Sequence, residues 1–468
     1  MKPHPHLLLA LVVGLACASP LRSSPSEPAR ADLAGSWKFR LDAENRGVEE
    51  RWFESGLSEK IQLPGSVQSQ GFGEKVSLKG PWTAVVGMEP WRKEAAKAGE
   101  GSPLQTRSPI FLTPERLYVG AAWYQREIVV PEDWRNRTVT LVLERPHWKT
   151  RAWVDGGEVG KEQRSLGTPH RFDLSGIGPG THRLTVRVHN TLDPNVGEDA
   201  HSVSDQTQGN WNGIAGDISL EASPVATPRG LRIFPDVEKR SVRVTFSLPD
   251  APASGKLRVT AAGKGTNPHR PEPLAMDLPE AKRDGGFEVA YPMGADAKLW
   301  DEFEPNLYTL TVEIEAADGS TAGTSEDFGL REWGRAGKMF TISDRVFQLR
   351  GTLECAIWPR TGYPPTDLES WRKVMKTARD FGLNHIRFHS WCPSEAAFEA
   401  ADEAGIYLQV ECSVWSHEVG PDTALQQWIR GRPRPCSPSM EIIRRFSRCS
   451  SATRARRNPG ATTSPASS

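Results

Sequence analysis

The chain lacks several features that define other classes of protein. Its 468 residues include 58 basic and 58 acidic side chains, so the formal net charge at pH 7 is zero. Proteins that bind nucleic acids usually carry a basic surface, so a nucleic acid is not an expected partner. Beyond the amino terminus, no apolar run approaches the roughly 20 residues that a membrane-spanning helix needs. We therefore predict no membrane span.

Cysteine is also scarce. None occurs from Ser19 to Glu354, and five follow, at Cys355, Cys392, Cys412, Cys436 and Cys449. An odd number without close spacing fits neither a disulfide framework nor a zinc motif. His385 and His389 are four residues apart, but they lie on a predicted strand and lack the glutamate of a metalloprotease helix. Nucleotide-binding loops and serine-hydrolase elbows are missing as well, so we predict no metal and no cofactor.

The amino terminus is typical of an export signal. Lys2 precedes an apolar run from Leu7 to Leu15, and Ala16-Cys17-Ala18 then offers a cleavage site. We expect residues 1–18 to be a signal peptide cleaved near Ala18, which places the mature protein in a periplasm or outside the cell. The Ser-, Pro- and Ala-rich residues 19–32 are predicted to be a linker.

Two successive regions alternate in the manner of antiparallel strands. In residues 33–223, Val139, Leu141 and Leu143 alternate with polar neighbours, and Gly-rich turns separate such runs. This pattern predicts a β-sandwich. In residues 224–331, short strands such as the one carrying Val242 and Val244 recur over about a hundred residues, which is typical of an immunoglobulin-like sandwich.

The pattern changes to alternating strands and helices in residues 332–429. A capping box at Thr366 and Glu369 predicts a helix, and Gly382 and Gly405 are expected to end two helices. The predicted strands of this region are Val346–Gly351, Leu383–Phe388 and Ile406–Glu411. Strand and helix in alternation predict parallel crossovers, as in the first part of a (β/α)8 TIM barrel.

Polar and aromatic side chains follow these predicted parallel strands. The candidates at the strand ends are Arg387, His389, Trp391, Glu411 and His417. Side chains of this kind bind sugars, with hydrogen bonds to hydroxyls and an aromatic ring under the sugar. Alternatively, Arg387 is a structural arginine paired with a strand carboxylate and the tryptophans belong to the core. The residues themselves favour neither interpretation.

Longer motifs resemble glycoside hydrolase family 2. Asn384-His-Ile-Arg387 and Asp402-x-x-Gly405 are similar to segments of the family barrel, Gly35-Ser-Trp-Lys-Phe39 to the start of its sugar-binding jelly-roll domain, and Pro305-Asn-Leu-Tyr308 to the end of its immunoglobulin-like domain. The resemblance implies a retaining β-glycosidase that hydrolyses O-glycosyl bonds in β-galactosides or related β-glycosides, including plant or algal oligosaccharides. It also implies that Asp205 enters the sugar site from the first sandwich. Because Phe388 to Pro393 is one residue longer than the family form, the position of His389 is expected to differ.

The catalytic carboxylates of the family have no counterpart in the sequence. A retaining glycosidase needs two carboxyl groups about 5 Å apart, and in the family the first glutamate follows an asparagine. No Asn-Glu pair occurs in this chain. Residues 430–468 are rich in Arg, Ser and Pro, which predicts a disordered tail. We interpret this tail as the product of out-of-frame translation rather than as a basic segment that binds a partner. We therefore predict a chain without catalytic carboxylates and without activity. A non-catalytic secreted carbohydrate-binding β-sandwich protein is the alternative.

Overall fold

A computed structural model describes residues 28–76, 97, 115–193, 196–197, 200–201, 203, 210–249, 254–283, 285–358, 360–415 and 424–431. Strands account for most of the regular secondary structure in this part of the chain. Among the described residues, no helix has both the length and the apolar character needed to cross a membrane. The predicted signal peptide and nearly all of the predicted tail lie outside these ranges.

The first sandwich consists of two antiparallel sheets that share one core. One sheet has the strand order β1-β13-β8-β11 with β4 paired to β13, and the other has the order β10-β9-β12-β7-β2-β3. Leu141, Leu143, Val186 and Val188 are fully buried between them, as their alternation predicts. Strands β5 and β6 pair with each other in a separate two-stranded sheet. The strands of this region are β1 (Ala29–Asp32), β2 (Gly35–Asp42), β3 (Glu59–Leu63), β4 (Gly65–Ser66), β5 (Glu74–Lys75), β6 (Arg116–Leu117), β7 (Ala121–Val130), β8 (Arg137–Pro146), β9 (Lys149–Val154), β10 (Gly157–Arg164), β11 (His170–Asp173), β12 (Gly180–His189) and β13 (Gly213–Pro224).

The predicted linker is wrong at its carboxyl end. Residues 29–32 form β1, which pairs antiparallel with β13 from Ala29 opposite Ala222 to Asp32 opposite Ser219. The Arg30 guanidinium lies 2.7 Å from an Asp217 carboxylate oxygen and fixes the strand further. Low hydrophobicity suggested a linker, but an edge strand needs only backbone partners and one partly buried face.

The second sandwich has its own core. A sheet of order β14-β15-β18 packs against a sheet of order β17-β16-β19-β20. Val242, Val244 and Phe246 alternate inward along β15, as the sequence predicts. The strands are β14 (Arg229–Asp236), β15 (Ser241–Ser247), β16 (Gly255–Gly263), β17 (Leu274–Asp277), β18 (Gly286–Pro292), β19 (Leu307–Ala316) and β20 (Thr321–Gly329).

The remaining described residues form a small antiparallel sheet and a parallel segment. The antiparallel sheet contains β21 (Trp333–Ala336), β22 (Met339–Ile342) and β23 (Arg345–Phe347), and the parallel sheet contains β24 (Gly351–Glu354), β25 (His385–Phe388) and β26 (Tyr407–Val410). The predicted strand Val346–Gly351 is thus wrong in position. Its first half pairs antiparallel with β22, and the parallel strand begins only at Gly351. Strands β23 and β24 are each too short to establish a period, so the sequence pattern did not show where one strand ends and the next begins.

Helices α1 (Leu368–Asp380) and α2 (Glu395–Ala404) connect the parallel strands, and α3 (Ala424–Gly431) follows β26. Trp371, Met375 and Ala378 form the buried face of α1. The cap of α1 is one residue later than expected, because the Asp367 carboxylate accepts a 2.8 Å hydrogen bond from the Ser370 amide. The parallel segment comprises β24, β25, β26, α1 and α2, and its three strand ends meet at one edge of the sheet.

Candidate functional site

Arg387 and Glu411 form the central pair at this edge. Arg387 is the third residue of β25 and Glu411 directly follows β26, so parallel pairing brings them side by side. The Arg387 Nε donates to Glu411 Oε1 over 2.7 Å, and its Nη2 contacts the same oxygen. Glu411 Oε2 accepts a 2.8 Å hydrogen bond from the Ser390 amide. Both carboxylate oxygens are therefore occupied, as in the structural interpretation of Arg387.

His389 lies beside two other rings at the same edge. Its ring centre is 4.4 Å from that of His201 and 4.7 Å from that of Trp415. The His389 amide donates to the Glu354 carbonyl over 2.9 Å, which fixes the backbone after β25 to the end of β24. Burial lowers the pKa of His389 and, together with the nearby His389 ring, lowers the pKa of His201 to about 4. Both imidazoles are therefore neutral at physiological pH.

Trp391 is a core residue with one edge on a cavity. It is only 4% exposed and packs against Trp371 and Phe388, so its ring face does not reach solvent. Trp415, by contrast, is 38% exposed. Trp391 therefore fits the core interpretation, and its contact with a carbohydrate stays a prediction.

Glu354 has the most perturbed carboxyl group at the strand ends. Burial raises the pKa of Glu354 to about 7, although the Ala356 amide donates to its Oε2 over 2.9 Å and partly opposes the shift. Burial and the neighbouring Glu354 also raise the pKa of the Cys355 thiol. Sequence reasoning named this strand end but did not predict a role for either side chain.

The first sandwich reaches this edge through Val196 and His201. The Trp415 amide donates to the Val196 carbonyl over 2.9 Å, and His201 Nδ1 lies 2.8 Å from Ser390 Oγ. A cavity of about 30 Å³ lies beside these contacts, bordered by Arg145, His147, His201, Trp211, Thr366 and Trp391. It is far smaller than the roughly 300 Å³ or more of a small-molecule site.

The structure therefore brings together four of the six predicted site residues, namely Arg387, His389, Trp391 and Glu411. Asp205 and His417 lie outside the described residues. His201 and Trp415 belong to the same group, and no spacing pattern links them because they lie in two distant parts of the chain.

The fold and the site together define a mostly β protein in which a loop of one sandwich meets the strand ends of a parallel segment. Residues 231–331 match the model of glycosyl hydrolases family 2. This match over part of the chain confirms the resemblance to the family predicted from the sequence.

Relatives in this family are distant but cover much of the chain. The chain is 23% identical to a β-glucuronidase of Paenibacillus borealis over 68% of its own length and 48% of that protein, and 26% identical to a β-galactosidase of Arthrobacter sp. over 84% and 36%. It thus spans about half or less of the length of these relatives. A solved β-glucuronidase of Ruminococcus gnavus matches with a TM-score of 0.62 at 16% identity, over 84% of this chain and 60% of that one. That likeness shows the fold.

Proposed function

We propose that this chain recognises β-glycosides at the edge of the parallel segment and is derived from a β-glycosidase of family 2. The observation that carries the proposal is the convergence of the Arg387–Glu411 pair, His389 and the half-exposed Trp415 at the end of parallel strands. Strand ends of this kind are where barrel enzymes bind substrates. The named relatives are β-glucuronidases and β-galactosidases, so galactosides and glucuronides are the first ligands to test.

The finer domain assignment is part of the same proposal. The first sandwich corresponds to a jelly-roll sugar-binding domain, the second to an immunoglobulin-like domain, and residues 332–429 to the first part of a TIM barrel. Two sheets around a common core in each sandwich, and three parallel strands with two connecting helices, support this assignment. We also propose that the chain is exported and that its signal peptide is cleaved near Ala18.

We propose further that the chain binds without hydrolysis. Glycoside cleavage with retention needs one carboxylate as nucleophile and a second carboxyl group as acid. Among the described strand-end residues, Glu411 has both oxygens committed to Arg387 and Ser390, and Glu354 accepts a hydrogen bond within its own loop. Neither group is oriented to attack a sugar, so recognition is the chemistry that this edge supports.

The test uses nitrophenyl β-galactoside, β-glucuronide and β-mannoside. Each of these compounds reports binding by calorimetry and hydrolysis by the release of nitrophenol. We expect a calorimetric binding signal with at least one of them and no release of nitrophenol by the full chain. Trp415→Ala should weaken binding about tenfold, because the exposed ring supplies the apolar surface under the sugar. Phe381→Ala is the matched control, since Phe381 is 80% exposed but lies at the end of α1, outside this edge. Nitrophenol release would contradict the view of a non-catalytic chain, and unchanged binding by Trp415→Ala would move the sugar site elsewhere, such as to a sandwich surface.

A further inference from the structure

Three side chains with metal-binding atoms meet beneath Trp415. His201 comes from the first sandwich, Cys355 follows β24 and His389 follows β25. One ligand atom from each residue lies within 4.8 Å of the other two. Their wide separation in the sequence hides this cluster from any motif search, which explains why spacing predicted no metal.

The distances fit a preformed site that closes on its ion. In a tetrahedral zinc site with the usual Zn–N and Zn–S lengths, neighbouring ligand atoms are about 3.5 Å apart. The present cluster therefore has to contract by about 1 Å. Cys355 and His389 are only partly buried, so rotation of these two side chains can supply the movement without a shift of the strands.

Neighbouring groups already orient the two imidazoles. Ser390 Oγ lies 2.8 Å from Nδ1 of the buried His201 and holds its ring from one side. Metal-bound histidines usually have such a partner on the second nitrogen, which fixes the ring and its tautomer. In His389, Nδ1 is buried and has no hydrogen-bond partner in the described part of the chain. A buried nitrogen without a partner is costly, and a metal ion would satisfy it.

We propose that His201, Cys355 and His389 bind one zinc ion, with water in the fourth position. Two imidazoles and one thiolate are donors that favour zinc and other soft or intermediate transition metals over magnesium or calcium. Binding requires the thiolate, so the Cys355 proton is released to solvent when the metal binds. The proposal stands apart from the glycoside hypothesis, because the cluster can hold a metal whether or not the edge binds sugars.

Cobalt is the spectroscopic probe for this site, since a tetrahedral cobalt–thiolate bond gives a charge-transfer absorption that imidazole ligands do not. The full chain, freed of metal with a chelator, is titrated with Co²⁺ and then with Zn²⁺. We expect one Co²⁺ per chain, a charge-transfer band, loss of that band when Zn²⁺ displaces the cobalt, and a zinc-dependent rise in the unfolding temperature.

Variants separate this site from adventitious binding. Cys355→Ser should abolish the charge-transfer band, and His389→Ala should weaken Co²⁺ binding at least tenfold. Cys412→Ser is the matched control, because Cys412 is an exposed free cysteine near the same edge. Circular dichroism of Cys355→Ser in the absence of metal reports whether the variant folds. If it does not fold, the proposal is still tested by the band of the wild-type chain, its retention in Cys412→Ser and the weaker Co²⁺ binding of His389→Ala. Absence of the band in the wild-type chain, or its loss in Cys412→Ser, would overturn the proposal.

Discussion

At the scale of single residues, the Arg387–Glu411 pair is the interaction on which the strand ends depend. Arg387→Met removes the cation and leaves the mostly buried Glu411 with the Ser390 amide. Since Arg387 itself is 39% exposed, solvent compensates part of the loss, and we expect a destabilisation of about 1–2 kcal/mol. The urea-unfolding midpoint of the full chain measures it.

Arg372→Met is the control for this prediction. Arg372 is likewise paired with a glutamate, since it contacts the two oxygens of Glu403 at 2.7 Å each, but it lies on the solvent side of α1. Exposed pairs contribute little, so its removal should leave the midpoint unchanged within error. Equal effects of the two substitutions would mean that the strand-end pair contributes no more than a surface ion pair.

These residues also show how far the sequence alone predicts the site. The positions of Arg387 and Glu411 followed from the general rule that parallel strand ends converge, and the structure confirms that they meet. The role of Glu411 as a partner of Arg387 was one of two open interpretations. His201 was not predicted, because its contact with Ser390 depends on how an irregular loop of the first sandwich packs, and such a contact leaves no local pattern.

At the scale of elements, the start of α1 distinguishes a sequence motif from an actual cap. Asp367 accepts the Ser370 amide hydrogen bond, whereas the sequence favoured Thr366 and Glu369. We expect Asp367→Ala to destabilise the chain by about 1 kcal/mol, the usual cost of a lost cap. Thr366→Ala should have a smaller effect, and the ratio of the two shifts in thermal midpoint is the measurement. A larger effect of Thr366→Ala would restore the predicted capping box.

Elements with strong periodicity were the most predictable. The apolar face of α1 and the alternation of β8 and β15 required no knowledge of the partners that they pack against. The first parallel strand was misplaced because a four-residue strand has too few positions to establish a period. Its register depends on Arg350 and Asn384, whose contact, from the Arg350 amide to Asn384 Oδ1 over 2.8 Å, links residues far apart in the chain.

At the scale of the whole molecule, Gly405 lies where the parallel segment closely approaches Glu302 of the second sandwich. It ends α2 with a φ of +69°, and a Cβ built there would lie 2.8 Å from the Glu302 carbonyl oxygen. Gly405→Ala therefore combines backbone strain with a collision against another unit, and we expect a loss of at least about 2–3 kcal/mol.

Gly382 supplies the matched comparison for that junction. Its φ is +74°, but a Cβ there would meet nothing within 4 Å, so Gly382→Ala carries the backbone strain alone. A loss of about 1 kcal/mol is expected for it. Urea unfolding gives the free energy of unfolding of each alanine variant, and the difference between the two losses measures the cost of the collision with Glu302. If the two losses were equal, this contact would not limit how the units pack.

The same junction has an acidic patch that should make the stability of the whole chain depend on pH. Burial, with smaller contributions from Glu395 of α2 and from Asp327, raises the pKa of Glu326 on β20 to about 8, from an ordinary value of 4.5. Between those two values the folded chain binds more protons at Glu326 than the unfolded chain, so this group makes unfolding easier as pH rises.

Glu326→Gln removes that titration and should therefore stabilise the chain by about 2 kcal/mol near pH 9, with little effect near pH 5, where Glu326 is protonated in the folded state. Lys264 lies 2.5 Å from Asp327 and 3.4 Å from Glu399. These two ion pairs are present in the wild-type chain and are expected to remain in the Glu326→Gln variant. Urea midpoints at the two pH values measure the effect. If Glu326→Gln stabilised the chain equally at pH 5 and pH 9, the gain would come from packing of the amide rather than from loss of the carboxylate charge. Protonation of Glu326 would then not control the stability of this junction.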